Sequence, residues 1–351
     1  MTAFRFAVIG INHDHIHGMM RAMREAGGEC AGFHAPEDDL AATFQDRYPE
    51  IPRIADRRRI LESPEIGLIL SAAIPADRAG IGIEAMRHGK DVLVDKPGML
   101  TLEDLAAVRA ARAETGRFFS IFFSEHLDQR STVRAGELVR QGAIGEVVNT
   151  VGLGPHRLSA PKRPDWFFDP ARNGGILTDI ASHQAEQFLF FADAMGQGMG
   201  QGVEGEVLSA TVGNRALPEH PRFRDFGDMH LRAGKVTGYV RVDWYTPDAM
   251  PVWGDGRLVI LGTQGTIELR KYFDPEGRPG GDHLFLSNRD GVRYIDCNDT
   301  VRPFGRLFAN DLRDRTETAM PQELGFRAME LALTAQALSL IHISEPTRRR
   351  G

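Results

Sequence analysis

The stretch Asp91-Val92-Leu93-Val94-Asp95-Lys96-Pro97-Gly98 constrains this chain more than any other. Its apolar run, Val92-Leu93-Val94, predicts a short buried strand, and Lys96-Pro97 stops it because proline has no N–H to give to a central strand. The chain must turn at Pro97, which leaves Lys96 at the C-terminal edge of a sheet. Ligands of open α/β sheets bind along that edge. A lysine is ordinarily a solvated surface charge, so Lys96 acquires chemical meaning only from what the rest of the chain supplies.

Residues 4–11 read as a buried parallel strand, apolar almost without break after Arg5. The strand runs into Gly10, and helical spacing follows from His17 to Met23. Strand, glycine, helix is the opening of a dinucleotide-binding fold, where helix N-terminal N–H groups face a pyrophosphate. Gly10 fits the first glycine of that fingerprint, but Asn12 and His15 stand where the second and third are expected. The histidines 13, 15 and 17 also raise a metal reading. Residues two apart on a helix point away from each other, so polar lining of a phosphate loop is the better expectation and no metal is assigned.

A second strand over 30–33 ends at His34-Ala35-Pro36-Glu37-Asp38. An acidic side chain at that tip marks a preference for NAD. Ala35 takes the expected place, with Glu37 and Asp38 just beyond and no arginine beside them for a 2′-phosphate, so NAD is favoured and NADP stays open. The alternation continues with a helix containing Ile60-Leu61, a strand over 66–73, the turn Ile74-Pro75-Ala76-Asp77, and a helix over 78–88 closed by Gly89. A helix over 102–114 with Thr101 as N-cap and a strand over 118–123 complete it. This rhythm predicts a doubly wound parallel sheet, a Rossmann domain over 1–123.

Beyond Ser124 the pattern changes to an amphipathic helix over 133–141, a basic loop over 157–170 and short alternating runs over 206–297. We expect an α+β domain over 124–337 with a large, mostly antiparallel open sheet, a helix over 176–195, a mobile glycine-rich loop over 196–205, and a closing helix over 320–337. The helix after Gly174-Gly175 carries Asp179 and His183, which at i and i+4 share one face. A carboxylate beside an imidazole fixes its tautomer and raises its basicity, as a general base requires; an exposed helical pair is the plainer alternative.

Composition excludes several classes. A net charge of −6 offers no basic surplus for nucleic acid. No run reaches the length of a membrane span, and Met1 leads into a strand without a signal peptide. Two cysteines, Cys30 and Cys297, form no metal spacing and suit a reducing compartment. The expectation is a two-domain cytoplasmic protein.

With these motifs in order along the chain, GKDVLVDKPGMLTLEDL resembles the E-K-P segment of the glucose-fructose oxidoreductase/inositol dehydrogenase (Gfo/Idh/MocA) family, and GGILTDIASHQAEQF resembles its G-G-x-x-x-D-x-x-x-H helix. The resemblance implies a catalytic set of Lys96, Asp179 and His183 acting with a nicotinamide cofactor. It places Gly10, Asn12 and His13 near the pyrophosphate, with Ala35, Ala73, Pro75, Asp95, Lys96 and Pro97 lining the cofactor and a cis Lys96–Pro97 bond. Asp95 replaces the family's glutamate and is one methylene shorter. Glu125, His156, Arg157 and Trp166 fall where substrate loops lie, suiting a sugar, cyclitol or other polyol. The implied activity is NAD(P)-dependent hydride transfer at a secondary hydroxyl or ketone. Transient oxidation during glycoside cleavage and a non-catalytic sugar or cofactor sensor are the alternatives. A homodimer or homotetramer formed through the C-terminal sheet is likewise implied. Residues 338–351 resemble the translation of a sequencing adapter and are read as a non-native tail, with the natural chain continuing differently after about Ala337.

Overall fold

Both faces of the central strands of the N-terminal half must be covered, because these strands are apolar almost throughout. The computed structural model describes residues 4–193 and 204–344. The expected glycine-rich loop falls largely on 194–203, outside the described residues, as do the last seven positions of the expected tail. The chain divides into two compact units, one running to Asp128 and taking in Arg302–Phe326, the other comprising Gln129–Val301 and the chain from Arg327.

In the first unit β1 (Phe4–Ile9), β2 (Gly28–His34), β3 (Leu68–Ser71), β4 (Asp91–Asp95) and β5 (Phe119–Phe122) form one sheet in the order β2-β1-β3-β4-β5. All four pairings are parallel. Every residue of β3, β4 and β5 is buried. Thr101 caps the helix Leu102–Thr115 as expected, its Oγ1 accepting the Asp104 N–H at 3.0 Å, and Gly116 ends it in the left-handed region. The chain leaves β1 toward β2 on one side and later returns to β3 on the other, so the β1–β3 boundary is the switch point where such sheets bind ligands. Gly10 sits there at φ +84°, and a Cβ on it would lie 2.4 Å from Ala73 Cβ. Only glycine lets the two strand ends approach this closely.

The segment Arg302–Phe326, expected in the C-terminal domain, packs with the first unit. Its helix Phe304–Asp314 lies on the helix His15–Glu25, where a Cβ on Gly305 would meet Ala22 O at 2.3 Å. Arg315 grips the start of β4 through both Asp91 oxygens, at 2.8 and 3.0 Å. Gln322 Oε1 accepts the Phe119 N–H at 2.7 Å, giving the edge strand β5 a partner.

The second unit is built on eight strands, β6 (Val147–Pro155), β7 (Gly205–Gly213), β8 (Phe226–Ala233), β9 (Val236–Asp243), β10 (Arg257–Gly262), β11 (Gly265–Arg270), β12 (His283–Asn288) and β13 (Gly291–Asp296). Their order is β13-β12-β11-β10-β6-β9-β8-β7, antiparallel except for the central β6–β9 pair. The helix Ala181–Ala192 lies on that pair, over strands floored with glycine: a Cβ on Gly152 would stand 2.7 Å from Gln184 Oε1, and one on Gly238 2.6 Å from Phe188.

Three expectations are corrected. The helix over 176–195 is two pieces, Ile176–Asp179 and Ala181–Ala192, separated at Ile180. The closing helix runs from Gln322 to Ser344 rather than breaking at Leu338, since no helix breaker occurs before Pro346. Within it, Gln322–Ile341 has the length and mean hydropathy (1.2) of a membrane span, contrary to the expectation that no run does. A share of 56% of that stretch is buried inside the fold, including Leu324, Phe326, Met329 and Leu333. Both cysteines are free thiols, and burial raises their pKa values to about 11 for Cys30 and about 12 for Cys297.

Candidate functional site

At the β1–β3 switch point the first unit opens a cavity of about 490 Å³ lined by Gly10, Asn12, His34, Pro36, Glu37 and Ala73, among others. Asn12 Nδ2 donates to Glu37 Oε1 at 2.9 Å. The second carboxylate oxygen, Oε2, is buried with no hydrogen-bond partner among the described residues. A buried acceptor left unsatisfied is costly, and ribose hydroxyls are the donors this position of a dinucleotide fold receives. The cavity and its donor-seeking carboxylate therefore fit a dinucleotide.

Ala35, expected at this spot, is buried and does not line the cavity; its carbonyl accepts from Arg53 at 2.9 Å. β2 ends at His34 and the chain bends at Pro36, which carries Glu37 into the place Ala35 was given. The expectation of no nearby arginine is also corrected. Arg53 pairs in register with Phe33, and Arg57 lines the cavity with its guanidinium 3.0 Å from Glu84. Pro75 is buried at the first position of the helix Pro75–Arg87 and likewise does not line the cavity.

His13, Asp95, Lys96 and Pro97 belong to a second cluster of the same unit. Asp95 closes β4 fully buried, with His15 Nδ1 at 2.9 Å from Oδ1, and Arg78 Nη2 at 3.0 Å and His13 Nδ1 at 3.9 Å from Oδ2. Burial pushes the Asp95 carboxyl up, but the positive charge of His15 and Arg78 outweighs it and holds the group well below the usual carboxylate range. The His15 N–H donates to His13 Nδ1 at 3.2 Å, which requires that nitrogen to be unprotonated. Burial, together with His15, Lys96 and Arg78, holds His13 well below the ordinary imidazole value, against the opposing pull of Asp95. The His13, His15 and Asp95 ligand atoms lie within 4.8 Å of one another, close enough to share a metal ion. The Arg78 guanidinium already neutralises Asp95, and a further cation there would meet repulsion from Arg78 and Lys96. The cluster is thus an ion-paired anchor. Lys96 is only 4% exposed, and the Lys96–Pro97 bond is cis, as the resemblance implied.

In the second unit Gly174 and Gly175 take left-handed conformations at φ +86° and +82°, and a Cβ on Gly175 would lie 2.6 Å from Gln336 Oε1. That same oxygen accepts the Leu177 N–H at 3.0 Å and fixes where the next helix starts. Asp179 ends the first helical piece, half-buried, and His183 lies in the second, 2% exposed. Ser182 Oγ donates to Asp179 O at 3.0 Å across the break. Lys271, which the sequence did not single out, is fully buried; its Nζ donates to Gln187 Oε1 at 2.7 Å, and Gln187 Nε2 donates to His183 O at 2.9 Å. Lys271 follows Arg270 at the end of an alternating strand, a position that reads as a solvated charge, so no local signal marked it.

The four substrate expectations separate. Arg157 donates to the carbonyls of Pro247, Met250 and Val252, at 3.0 and 2.9 Å for the first and last, and so holds a loop. His156 packs edge-on against Trp253 and Trp244, with ring centroids 4.5 and 5.4 Å away. Trp166 is half-buried in the 3₁₀ turn Asp165–Phe168. Glu125 is buried in the short helix Ser124–Leu127 of the first unit.

Asp95→Asn leaves Arg78 buried without its counter-ion, which costs about 3–5 kcal/mol. Because the folded-state pKa of Asp95 is depressed, its contribution is complete above the unfolded value of about 4 and shrinks by about 1.4 kcal/mol per pH unit below it. Urea titrations of wild type and Asp95→Asn are expected to differ most near neutrality, with the gap narrowing by about 1.4 kcal/mol per pH unit once the pH falls below about 4. A gap that ignores pH would contradict the ion pair.

Family models match both halves of the chain. The oxidoreductase family's NAD-binding Rossmann fold covers residues 4–123, and the GFO/IDH/MocA C-terminal domain covers residues 132–268. The crystal structure of a protein from Erwinia carotovora atroseptica SCRI1043 is 41% identical, with a TM-score of 0.90 over 96% of this chain and 98% of that one. The 1,5-anhydro-D-fructose reductase of Ensifer adhaerens is 24% identical over 57% of this chain and 62% of its own length. The scyllo-inositol 2-dehydrogenase (NAD(+)) of Bacillus subtilis (strain 168) is 23% identical over 60% of this chain and 57% of its own. The match thus spans less than two thirds of either curated relative. A levoglucosan dehydrogenase in complex with NADH and levoglucosan shares the fold, with a TM-score of 0.77 at 19% identity over 98% of both chains. Matched in both halves by one family's models, the chain belongs to the Gfo/Idh/MocA oxidoreductases, with an NAD-binding Rossmann domain at its N-terminus.

Proposed function

We propose that this protein is an NAD-dependent oxidoreductase that moves a hydride between the cofactor and the secondary hydroxyl or ketone carbon of a sugar, cyclitol or related polyol. The observation that carries this reading is Lys96. Its ammonium is buried at the C-terminal end of β4, in the segment that resembles the family's hallmark, and the dinucleotide-shaped cavity lies at the switch point of the same sheet. The names of the relatives support the substrate class, since they act on an anhydro sugar and an inositol.

Nicotinamide, when bound, supplies the hydride acceptor or donor. Lys96 Nζ donates a hydrogen bond to the reacting oxygen and stabilises the negative charge that grows as the hydroxyl proton departs. The His183 imidazole takes that proton, and returns it in the reverse direction. Asp179, four residues earlier, orients the neutral imidazole and stabilises the positive charge it gains on taking the proton. Burial of Lys96 and His183 removes water and strengthens each interaction. Gly10, Asn12, Ala73 and Glu37 hold the cofactor. Glu37 accepts from ribose hydroxyls and repels a 2′-phosphate, while Arg57 is already compensated by Glu84; this favours NAD over NADP. The face of the second unit's sheet opposite the helix Ala181–Ala192 leaves Val151, Leu153, Val259 and Leu261 partly or fully exposed, and this supports pairing with a second copy there.

Nicotinamide absorbance followed with NAD and a panel of sugars, inositols and sugar acids is expected to rise with at least one of them. Lys96→Ala and His183→Ala should each lower kcat by about 10²–10⁴-fold; full activity in either variant would remove that residue from the mechanism. Glu37→Ser is expected to improve NADP use relative to NAD by about tenfold or more, a shift of about 1.4 kcal/mol, and an unchanged ratio would detach Glu37 from selectivity. Light scattering should give a dimer or tetramer that Leu261→Glu weakens. A monomeric wild type would refute the pairing.

A further inference from the structure

Arg78 lies on the helix Pro75–Arg87, yet its side chain is 1% exposed. The guanidinium meets the Asp95 carboxylate through Nη2, at 3.0 Å from Oδ2. Its Nε and Nη1 go to main-chain carbonyls. Nε donates to Ala73 O at 2.8 Å, and Nη1 is directed at three successive oxygens, Asp95 O and Pro97 O at 3.1 Å each and Lys96 O between them. These three carbonyls span the last residue of β4 and the two that follow it, and the sheet register ends at Asp95, so that Lys96 and Pro97 have no place in the ladder. A buried carbonyl needs a donor, and one planar fork supplies it to the whole turn. A lysine is a point charge on a flexible stem and does not reproduce that fork.

We propose that Arg78 is the positioning residue of this active site. By gathering the carbonyls of residues 95–97 it sets the main chain from which Lys96 projects. By its bond to Ala73 O it ties that turn to a wall of the cofactor cavity, and through Asp95 it anchors His15. This assignment rests on the catalytic reading of Lys96. A misplacement of about 1 Å in such a group costs about 10²-fold in rate, so the effect of Arg78 falls on turnover rather than on cofactor affinity.

The test is Arg78→Lys in the full chain, with three readouts: kcat, the KM for NAD, and amide hydrogen exchange. The expected result is a kcat lower by about 30–100-fold with the NAD KM within about threefold of wild type. Exchange at the amides of residues 95, 96 and 98 should quicken about tenfold while β8 and β9 stay unchanged. A folded variant whose kcat is within about threefold of wild type overturns the proposal, even if its melting temperature falls. If Arg78→Lys does not fold, Arg78→Gly is assayed with and without guanidinium ion at non-denaturing concentration. Recovery of kcat supports the assignment, and no recovery overturns it. If the wild type turns over no polyol, the catalytic reading fails by itself, and exchange at 95–98 alone decides whether Arg78 holds the turn.

Discussion

A guanidinium and a carboxylate, both removed from water, meet at the end of β4, and the geometry of the first unit's site follows from that pair. Desolvating two ions is expensive, and the cost is recovered only when every remaining donor and acceptor is engaged. Arg78 and Asp95 offset much of that cost by recruiting what surrounds them: the carbonyls of Ala73, Asp95, Lys96 and Pro97 on one side, and His15 on the other. The pair thereby joins the loop after β1, the end of β3 and the turn after β4. All three lie at the carboxyl edge of the sheet, the edge along which open α/β sheets bind ligands.

The second unit reaches its own fixed geometry by a different route. Its helix Ala181–Ala192 is located by close approach rather than by charge, because Gly152, Gly154 and Gly238 remove the side chains that would hold it off the sheet. The double glycine before it and the side-chain amide oxygen of Gln336 decide where the preceding helical piece begins. Lys271, buried against Gln187, adds one ion beneath the His183 turn. Packing of this kind tolerates little change in volume.

Much of this architecture was legible before any coordinates. Strand–helix alternation in the first unit is written in local periodicity, and Pro97, Gly89 and Thr101 mark where elements stop and start. Lys96, Asp179 and His183 stood out because each sits at a predictable point of an element. The approach of Gly10 to Ala73 was only half visible, since a glycine after a strand says that something comes close but not what.

The amino-acid order alone settled the element types, the parallel sheet, the glycine-opened loop and the short list of residues able to do chemistry, because these depend on side-chain period and on conformations that glycine and proline impose locally. Only the folded chain decided that Glu37 rather than Ala35 faces the cavity, that Arg57 arrives beside it, that Arg78 gathers three carbonyls, that residues 302–326 return to the first unit, and that β6 and β9 run parallel. Each of these is a contact between segments far apart along the chain or a side-chain direction set by a bend such as Pro36. The free energies that select them come from burial and from satisfying polar groups across the whole fold, and no local pattern of residues encodes such terms.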